Sequence, residues 1–257
     1  ITFAQSEWKT SQAIFQKLLS FKPGDSRFLN NLGNIAFEQK EYQSAVEYYQ
    51  AAVDANPVWW EAMSNKGSAL ERLNLIPEAL SCYEKAYTIA PDEVSLVVAT
   101  ANALLEANSV DRAGQIIDRF RATGPQILET EILHGRILLA RGQFDESFLQ
   151  YQSLLKNAPD IAEVWIDLGH AYCEAMEFDQ GTAAFEEAIR RGADELVVGP
   201  NFGKALLGAG DFEGALEIFH RMQKLEPLNI ARLLNLSVAY LQAGDENKSF
   251  SWLENAN

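Results

Sequence analysis

The chain has 257 residues, of which 47% are hydrophobic and 22% charged, and its formal net charge is −15 at pH 7. This charge argues against binding to nucleic acid or to anionic membrane surfaces, because both require a basic surface. No apolar run approaches the length of a membrane-spanning helix, so the sequence predicts no membrane span.

A period of 34 residues runs through the whole chain. Six of the eight prolines fall on it: Pro23, Pro57, Pro91, Pro125, Pro159 and Pro227. Glycines follow the same spacing at a second position: Gly33, Gly67, Gly135, Gly169 and Gly203. A fixed period of this length predicts a protein built from repeated structural units.

Each repeat is predicted to be a pair of helices. Apolar residues recur at steps of three and four, as in Leu29, Leu32 and Ala36, which is the spacing of one helix face. A small residue on each helix allows close approach, and a larger ring packs beside the contact. The proline is expected to end the second helix, because it cannot continue the hydrogen-bond ladder.

Because each repeat packs on its neighbours, the sequence predicts one solenoid domain, residues 1–257, and not several separate globular domains. Its predicted parts are a partial repeat at 1–25, full repeats at 26–59, 60–93, 94–127, 128–161, 162–195 and 196–229, and a truncated terminal repeat at 230–257. The incomplete repeats suggest either a piece of a longer protein or an end that packs on another molecule. Pro200 is expected to lie in the first turn of its helix, where proline is tolerated, or to shorten that helix.

The clearest repeat resembles the tetratricopeptide repeat (TPR) family. The resemblance rests on six positions: Trp165, Leu168, Gly169, Tyr172, Phe185 and Ala188. Gly181 and Ala193 depart from the family pattern in this repeat. The resemblance covers essentially the whole chain and implies an all-α solenoid, a right-handed superhelix of helix-turn-helix repeats. It also implies that the first helices line a concave face.

Two series of mainly polar residues are predicted on that concave face, at the positions just before the Leu-Gly pair and three residues later. They provide the candidate peptide-binding residues Asn31, Asn34, Asn65, Asn102, Arg136, Asp167, His170, Asn201, Lys204 and Asn235. An asparagine amide can donate to and accept from the backbone of an extended peptide. The pattern is similar to the asparagine ladder in the TPR superhelix of O-linked N-acetylglucosamine transferases. The alternative is that these amides hydrogen-bond to neighbouring helices, and both interpretations stay open at this point.

Trp59 and the charges of the predicted inner face indicate what kind of partner the protein binds. Trp59 is a candidate partner contact, because a tryptophan follows the proline where the family usually has small or polar residues. The basic pair of chaperone-binding TPR proteins is missing, and carboxylates outnumber cations on the predicted inner face. We therefore expect a protein or peptide partner that is neutral or partly basic, with a homo-oligomer through the open solenoid ends as a further option.

Nothing in the sequence supports catalysis, a cofactor or a metal site, since the three histidines lie on different predicted helices without ligand spacing. Cys82 and Cys173 fall in different repeats, too far apart for a disulfide. This indicates a reducing compartment and favours the cytoplasm, with the periplasm as the alternative. The sequence thus predicts a non-catalytic protein-interaction scaffold. The alternatives are the substrate-recognition arm of a larger enzyme, such as a glycosyltransferase, and a self-assembling structural protein.

Overall fold

The computed structural model describes residues 3–255 of the chain. This part contains fifteen α-helices and no strand, which confirms the all-α fold class. In chain order the helices are α1 (Phe3–Phe21), α2 (Ser26–Glu38), α3 (Tyr42–Ala55), α4 (Trp60–Arg72), α5 (Ile76–Ile89), α6 (Val94–Glu106), α7 (Val110–Thr123), α8 (Leu128–Ala140), α9 (Phe144–Asn157), α10 (Ala162–Glu174), α11 (Phe178–Arg190), α12 (Glu195–Ala209), α13 (Phe212–Leu225), α14 (Ile230–Gln242) and α15 (Glu246–Asn255).

The contacts group the chain into two compact units, residues 1–133 (unit 1) and 134–257 (unit 2), with the division inside α8. Within each unit, helices that follow one another in sequence pack together, such as α2 with α3 and α10 with α11. We call the even-numbered helices from α2 to α14 the first helices of their repeats, and the odd-numbered helices from α3 to α15 the second helices.

A glycine on each of five first helices lies directly under an aromatic ring of the second helix. A Cβ atom added to Gly169 would lie 2.8 Å from the ring of Phe185, and one added to Gly203 would lie 2.3 Å from the ring of Phe219. Tyr49, Tyr83 and Tyr151 cover Gly33, Gly67 and Gly135 in the same way. Both phenylalanine rings are at most 1% exposed. Only glycine leaves room for the ring, so this contact sets the distance between the two helices.

Every turn inside a repeat contains one residue with a left-handed backbone. These residues are again 34 positions apart: Lys40, Asn74, Asn108, Gly142, Met176, Gly210 and Gly244. In the first of these turns, the amide of Lys40 donates to the carbonyl of Phe37 and the amide of Glu41 to that of Ala36. This is the Schellman arrangement, which satisfies the last carbonyls of the helix and reverses the chain.

Pro200 lies in the second turn of α12, so both sequence expectations for it were wrong. The helix begins earlier, because the Asp194 carboxylate accepts from the amide of Leu196 and caps the N-terminus. With 15 residues α12 is also longer than the other first helices, which have 13. A proline has no N–H for the carbonyl four residues earlier. That carbonyl, on Leu196, accepts from Nη2 of Arg232 at 3.3 Å instead.

We predict that the substitution Arg232→Ala costs about 1–2 kcal/mol more in the natural chain than in a Pro200→Ala background. With alanine at position 200, the new N–H can donate to the Leu196 carbonyl, so the guanidinium is no longer needed there. The free energies of unfolding of the four proteins, measured in urea, test this.

Arg232 also forms an ion pair with Glu226, Nε to Oε2, at 2.9 Å. Glu226→Gln therefore serves as the control, and its cost should be equal in both backgrounds. If Arg232→Ala lowers the free energy of unfolding equally in both backgrounds, the guanidinium does not replace the missing hydrogen bond.

Candidate functional site

In unit 1 the candidate residues Asn34 and Asn65 border one open groove on the first helices α2 and α4. The groove has a volume of about 350 Å³ and is also lined by Phe37, Glu38 and Ser68. Asn34 is exposed on α2, and its amide oxygen accepts a hydrogen bond of 2.8 Å from the Tyr49 hydroxyl. The ring that covers Gly33 therefore also holds the Asn34 side chain at the groove.

Asn65 links the two first helices of this groove. Its Nδ2 donates to Oδ1 of Asn30 at 3.1 Å, and Asn30 is 8% exposed. A buried amide of this kind requires a partner, because an unsatisfied polar group in the interior is costly. Asn65 thus contributes to the packing of α4 on α2 as well as to the surface of the groove.

In unit 2 four of the candidate residues surround a larger groove of about 650 Å³, formed by α8, α10, the start of α11 and α12. These residues are Arg136, His170, Asn201 and Lys204. Apolar side chains complete the lining, among them Leu139, Phe178, Phe185 and Ala205. The His170 ring stands edge-on to Phe185, with the ring centroids 5.4 Å apart. The groove therefore combines polar groups with an apolar, aromatic surface.

Polar side chains join neighbouring first helices across this groove. Nε of Arg136 donates to Oδ2 of Asp167 at 2.8 Å, and Nη2 donates to Oε1 of Glu163 at 2.9 Å. Nδ2 of Asn201 lies 2.8 Å from Nε2 of His170. Both Arg136–Asp167 and His170–Asn201 connect residues 31 positions apart, so they are the same contact made in successive repeats.

The His170–Asn201 contact fixes the state of the imidazole. An amide nitrogen only donates, so Nε2 of His170 accepts and the neutral ring carries its proton on Nδ1. Burial lowers the pKa of His170, and the nearby Arg136 charge lowers it further. The histidine is therefore a neutral polar contact at pH 7.

Burial dominates the ionisation of Asp167. Its pKa is raised to about 6 by burial, which outweighs the opposing effect of the Arg136 charge. The carboxylate is only 7% exposed. Burial also raises the pKa of the neighbouring Tyr151 hydroxyl. Asp167 and Arg136 thus form a largely buried link beneath the groove surface.

The remaining candidates lie outside the two grooves. Asn31, Asn102 and Asn235 are half-buried on α2, α6 and α14. Trp59 is half-buried at the N-cap of α4, where it borders a surface depression of unit 1 together with Asn56.

Sequence reasoning missed Phe178 as a groove residue. A detectable signal exists, because the first residue of each second helix from α3 to α13 is large and apolar. These residues are 34 positions apart: Tyr42, Ile76, Val110, Phe144, Phe178 and Phe212. The sequence identified Phe185 only as one of the six family positions, and the structure shows that it is buried and also lines the groove.

The described residues 3–255 contain no group of three or more His, Cys, Asp or Glu side chains that could hold a metal ion. Both cysteines are free thiols. Within the same range, no helix is long and apolar enough to cross a membrane.

Comparison with known families identifies the repeat. The tetratricopeptide repeat model matches residues 3–58, 30–94, 64–126, 132–195 and 201–256. Comparison with curated protein sequences gave no match.

Solved structures with this fold include several tetratricopeptide repeat proteins. A TPR protein from Parabacteroides merdae is 16% identical, with a TM-score of 0.81 over 92% of this chain and 93% of the other. The type IV pilus biogenesis factor PilW is 16% identical, with a TM-score of 0.69 over 83% and 97%. YrrB, a TPR protein with an unusual peptide-binding site, is 19% identical, with a TM-score of 0.56 over 70% and 93%. At these identities the likeness shows the fold alone.

We predict that Asp167 makes the protein less stable as the pH rises from about 4 to about 6. In this range the unfolded chain has lost the Asp167 proton, whereas the folded chain retains it, so stability falls with pH and then levels off. The shift from 3.8 to about 6 corresponds to a loss on the order of 3 kcal/mol. Asp167→Asn should lack this contribution, which urea unfolding at pH 4, 5, 6 and 7 would show.

Glu163→Gln is the matched control, because Glu163 bonds to the same guanidinium from a position that is 58% exposed. It should retain most of the pH dependence of the natural chain, because the Glu163 charge is the smallest of the causes that act on the pKa of Asp167. If the difference in stability between the natural chain and Asp167→Asn is constant from pH 4 to 7, burial does not control this carboxylate.

Proposed function

Because the chain belongs to the tetratricopeptide repeat family, we propose that it is a non-catalytic scaffold that binds an extended protein segment along its first helices. The family model matches five segments that together span most of the chain, and proteins made of such repeats are typically protein-interaction scaffolds. The fold alone does not define the ligand, so the proposal rests on the residues of the grooves.

The observation that carries the proposal is the groove of unit 2. It places exposed polar groups, including Lys204 and Glu174, beside the apolar surface of Phe178 and Leu139. Binding sites commonly have this composition, in which apolar walls supply affinity and a few polar groups fix orientation. Open grooves of this kind suit a peptide that lies along the surface.

The polar residues divide into two roles. Asp167 and Asn65 face partners on the preceding first helix and hold neighbouring repeats in register. We propose that Asn34 in unit 1, and His170 and Lys204 in unit 2, contact the ligand. His170 has both roles, because it also bonds to Asn201 on the next first helix. Each hydrogen bond to a peptide contributes about 0.5–1.5 kcal/mol, which gives affinity without strict dependence on sequence.

The charges favour a partner that is neutral or partly basic. Arg136 is balanced by Asp167 and Glu163, so its charge is not available to an acidic ligand. Glu38 in the groove of unit 1 and Glu174 in that of unit 2 supply negative charge.

We predict that the double variant His170→Ala/Lys204→Ala weakens peptide binding about tenfold. Two hydrogen bonds are lost, each worth about 0.5–1.5 kcal/mol. Peptides selected on the natural chain from a random display library serve as ligands, and their Kd is measured by fluorescence anisotropy.

The control Ser81→Ala/Lys85→Ala removes two polar side chains from exposed positions of α5. It should bind the selected peptides with unchanged Kd. Because His170→Ala also removes the bond to Asn201, Kd is compared at a temperature at which every variant is fully folded. Equal Kd values for the groove variant and the control would exclude the groove of unit 2 as the binding site.

A further inference from the structure

A second groove of unit 2 lies between the second helices α9 and α11, and α10 contributes to its lining. Its volume is about 590 Å³. Trp165, Leu168 and Tyr172 contribute from α10, at steps of three and four residues that place them on one helix face. None of these residues borders the groove described above, so this is a separate surface.

The aromatic side chains of this outer groove are held in place. Nε1 of Trp165 donates to the carbonyl of Pro159 at 2.8 Å, and Nε2 of Gln152 donates to the Tyr172 hydroxyl at 3.2 Å. The Tyr172 ring also packs on Phe148, with a centroid separation of 4.5 Å. A ligand would therefore meet a surface that is already formed, which reduces the entropy cost of binding.

Small residues of α11 keep the outer groove open. Ala183 and Ala184 line it, and the methyl group of Ala183 is exposed. The five other full repeats carry a larger side chain at the position of Ala183: Glu47, Ser81, Gln115, Leu149 and Glu217. Tryptophan at the position of Trp165 also occurs in this repeat alone. The outer groove is thus a local feature and not a general property of the repeats.

One cation at the rim is free to pair with a ligand. Arg190 is paired with Glu186 and Glu187. Lys156 is exposed on α9 and forms no ion pair among the described residues. Lys156 is therefore the charged lining residue of this groove that has no ion-pair partner among the described residues, and it lies beside an aromatic surface.

We propose that the outer groove docks a short acidic-apolar protein segment, in which a leucine-like side chain packs on Trp165 and Tyr172 and an adjacent carboxylate pairs with Lys156. The apolar side chain supplies most of the affinity, because it is withdrawn from water against two rings. The carboxylate supplies orientation and selectivity, since an exposed ion pair contributes little to affinity.

Three end-blocked peptides serve as probes: Leu-Leu-Glu, Leu-Leu-Gln and Leu-Leu-Lys. The readout is the indole N–H resonance of Trp165 in ¹⁵N-labelled protein, assigned through Trp165→Phe. The acidic peptide should shift this resonance saturably, the amide peptide should bind about threefold more weakly, and the lysine peptide more weakly still. No saturable shift, or the same Kd for all three peptides, would overturn the proposal.

Variants separate the apolar and charged contributions. Ala183→Glu should abolish the shift, because it fills the outer groove and repels the carboxylate. Ser81→Glu adds the same charge at the equivalent position of α5 and should leave Kd unchanged. Lys156→Glu should reverse the order of affinity of the three peptides, so that the lysine peptide binds most tightly.

If the acidic peptide still binds to Ala183→Glu, the peptide contacts another part of the protein. The same conclusion follows if Lys156→Glu leaves the order of affinity of the three peptides unchanged. An indole shift that depends on protein concentration alone, together with a rise in sedimentation mass, would identify a second copy as the occupant and refute the peptide proposal.

Discussion

The contact between a glycine and an aromatic ring determines the rest of this structure. A ring can lie across a first helix only where that helix has no Cβ atom, and Gly169 and Gly203 satisfy this condition beneath Phe185 and Phe219. The contact also reaches the surface, since Phe185 lines the groove of unit 2 and supports the His170 ring. Helix spacing and groove shape in this part of the chain therefore depend on the same pair of residues.

Neighbouring repeats are held together by a second kind of contact, between polar side chains on adjacent first helices. Asn65 bonds to Asn30, and Asp167 to Arg136, across the boundary between repeats. Such contacts are directional, so they select one relative position of the helices, whereas apolar packing alone tolerates several. The groove consequently depends both on the core and on pairs of residues that also occupy its edge.

The sequence predicted the parts of the fold that need a particular residue type at a fixed position. Glycine under a ring and proline after a second helix are such requirements, and both appear as 34-residue series. The left-handed turn residues were missed, since Lys40, Asn74 and Met176 share no chemical signature even though they repeat at the same spacing. The sequence also could not predict the hydrogen-bond partners of the polar candidate binding residues. Whether such a side chain bonds to a neighbouring helix or remains available to a peptide depends on side-chain geometry. Pro200 shows the same limit, because the Leu196 carbonyl that it leaves without an N–H accepts from Arg232 of the next repeat, a contact that the sequence does not reveal.

The most direct test of this account is a double-mutant cycle on Gly169 and Phe185, with the free energy of unfolding measured for all four proteins. Gly169→Ala should cost about 1–3 kcal/mol in the natural chain, because its methyl group would lie 2.8 Å from the ring. In the Phe185→Leu background the cost should largely disappear, since the smaller side chain leaves room for the methyl group. An equal cost in both backgrounds, or a gain from Gly169→Ala in the natural chain, would contradict the central role of the glycine–ring contact.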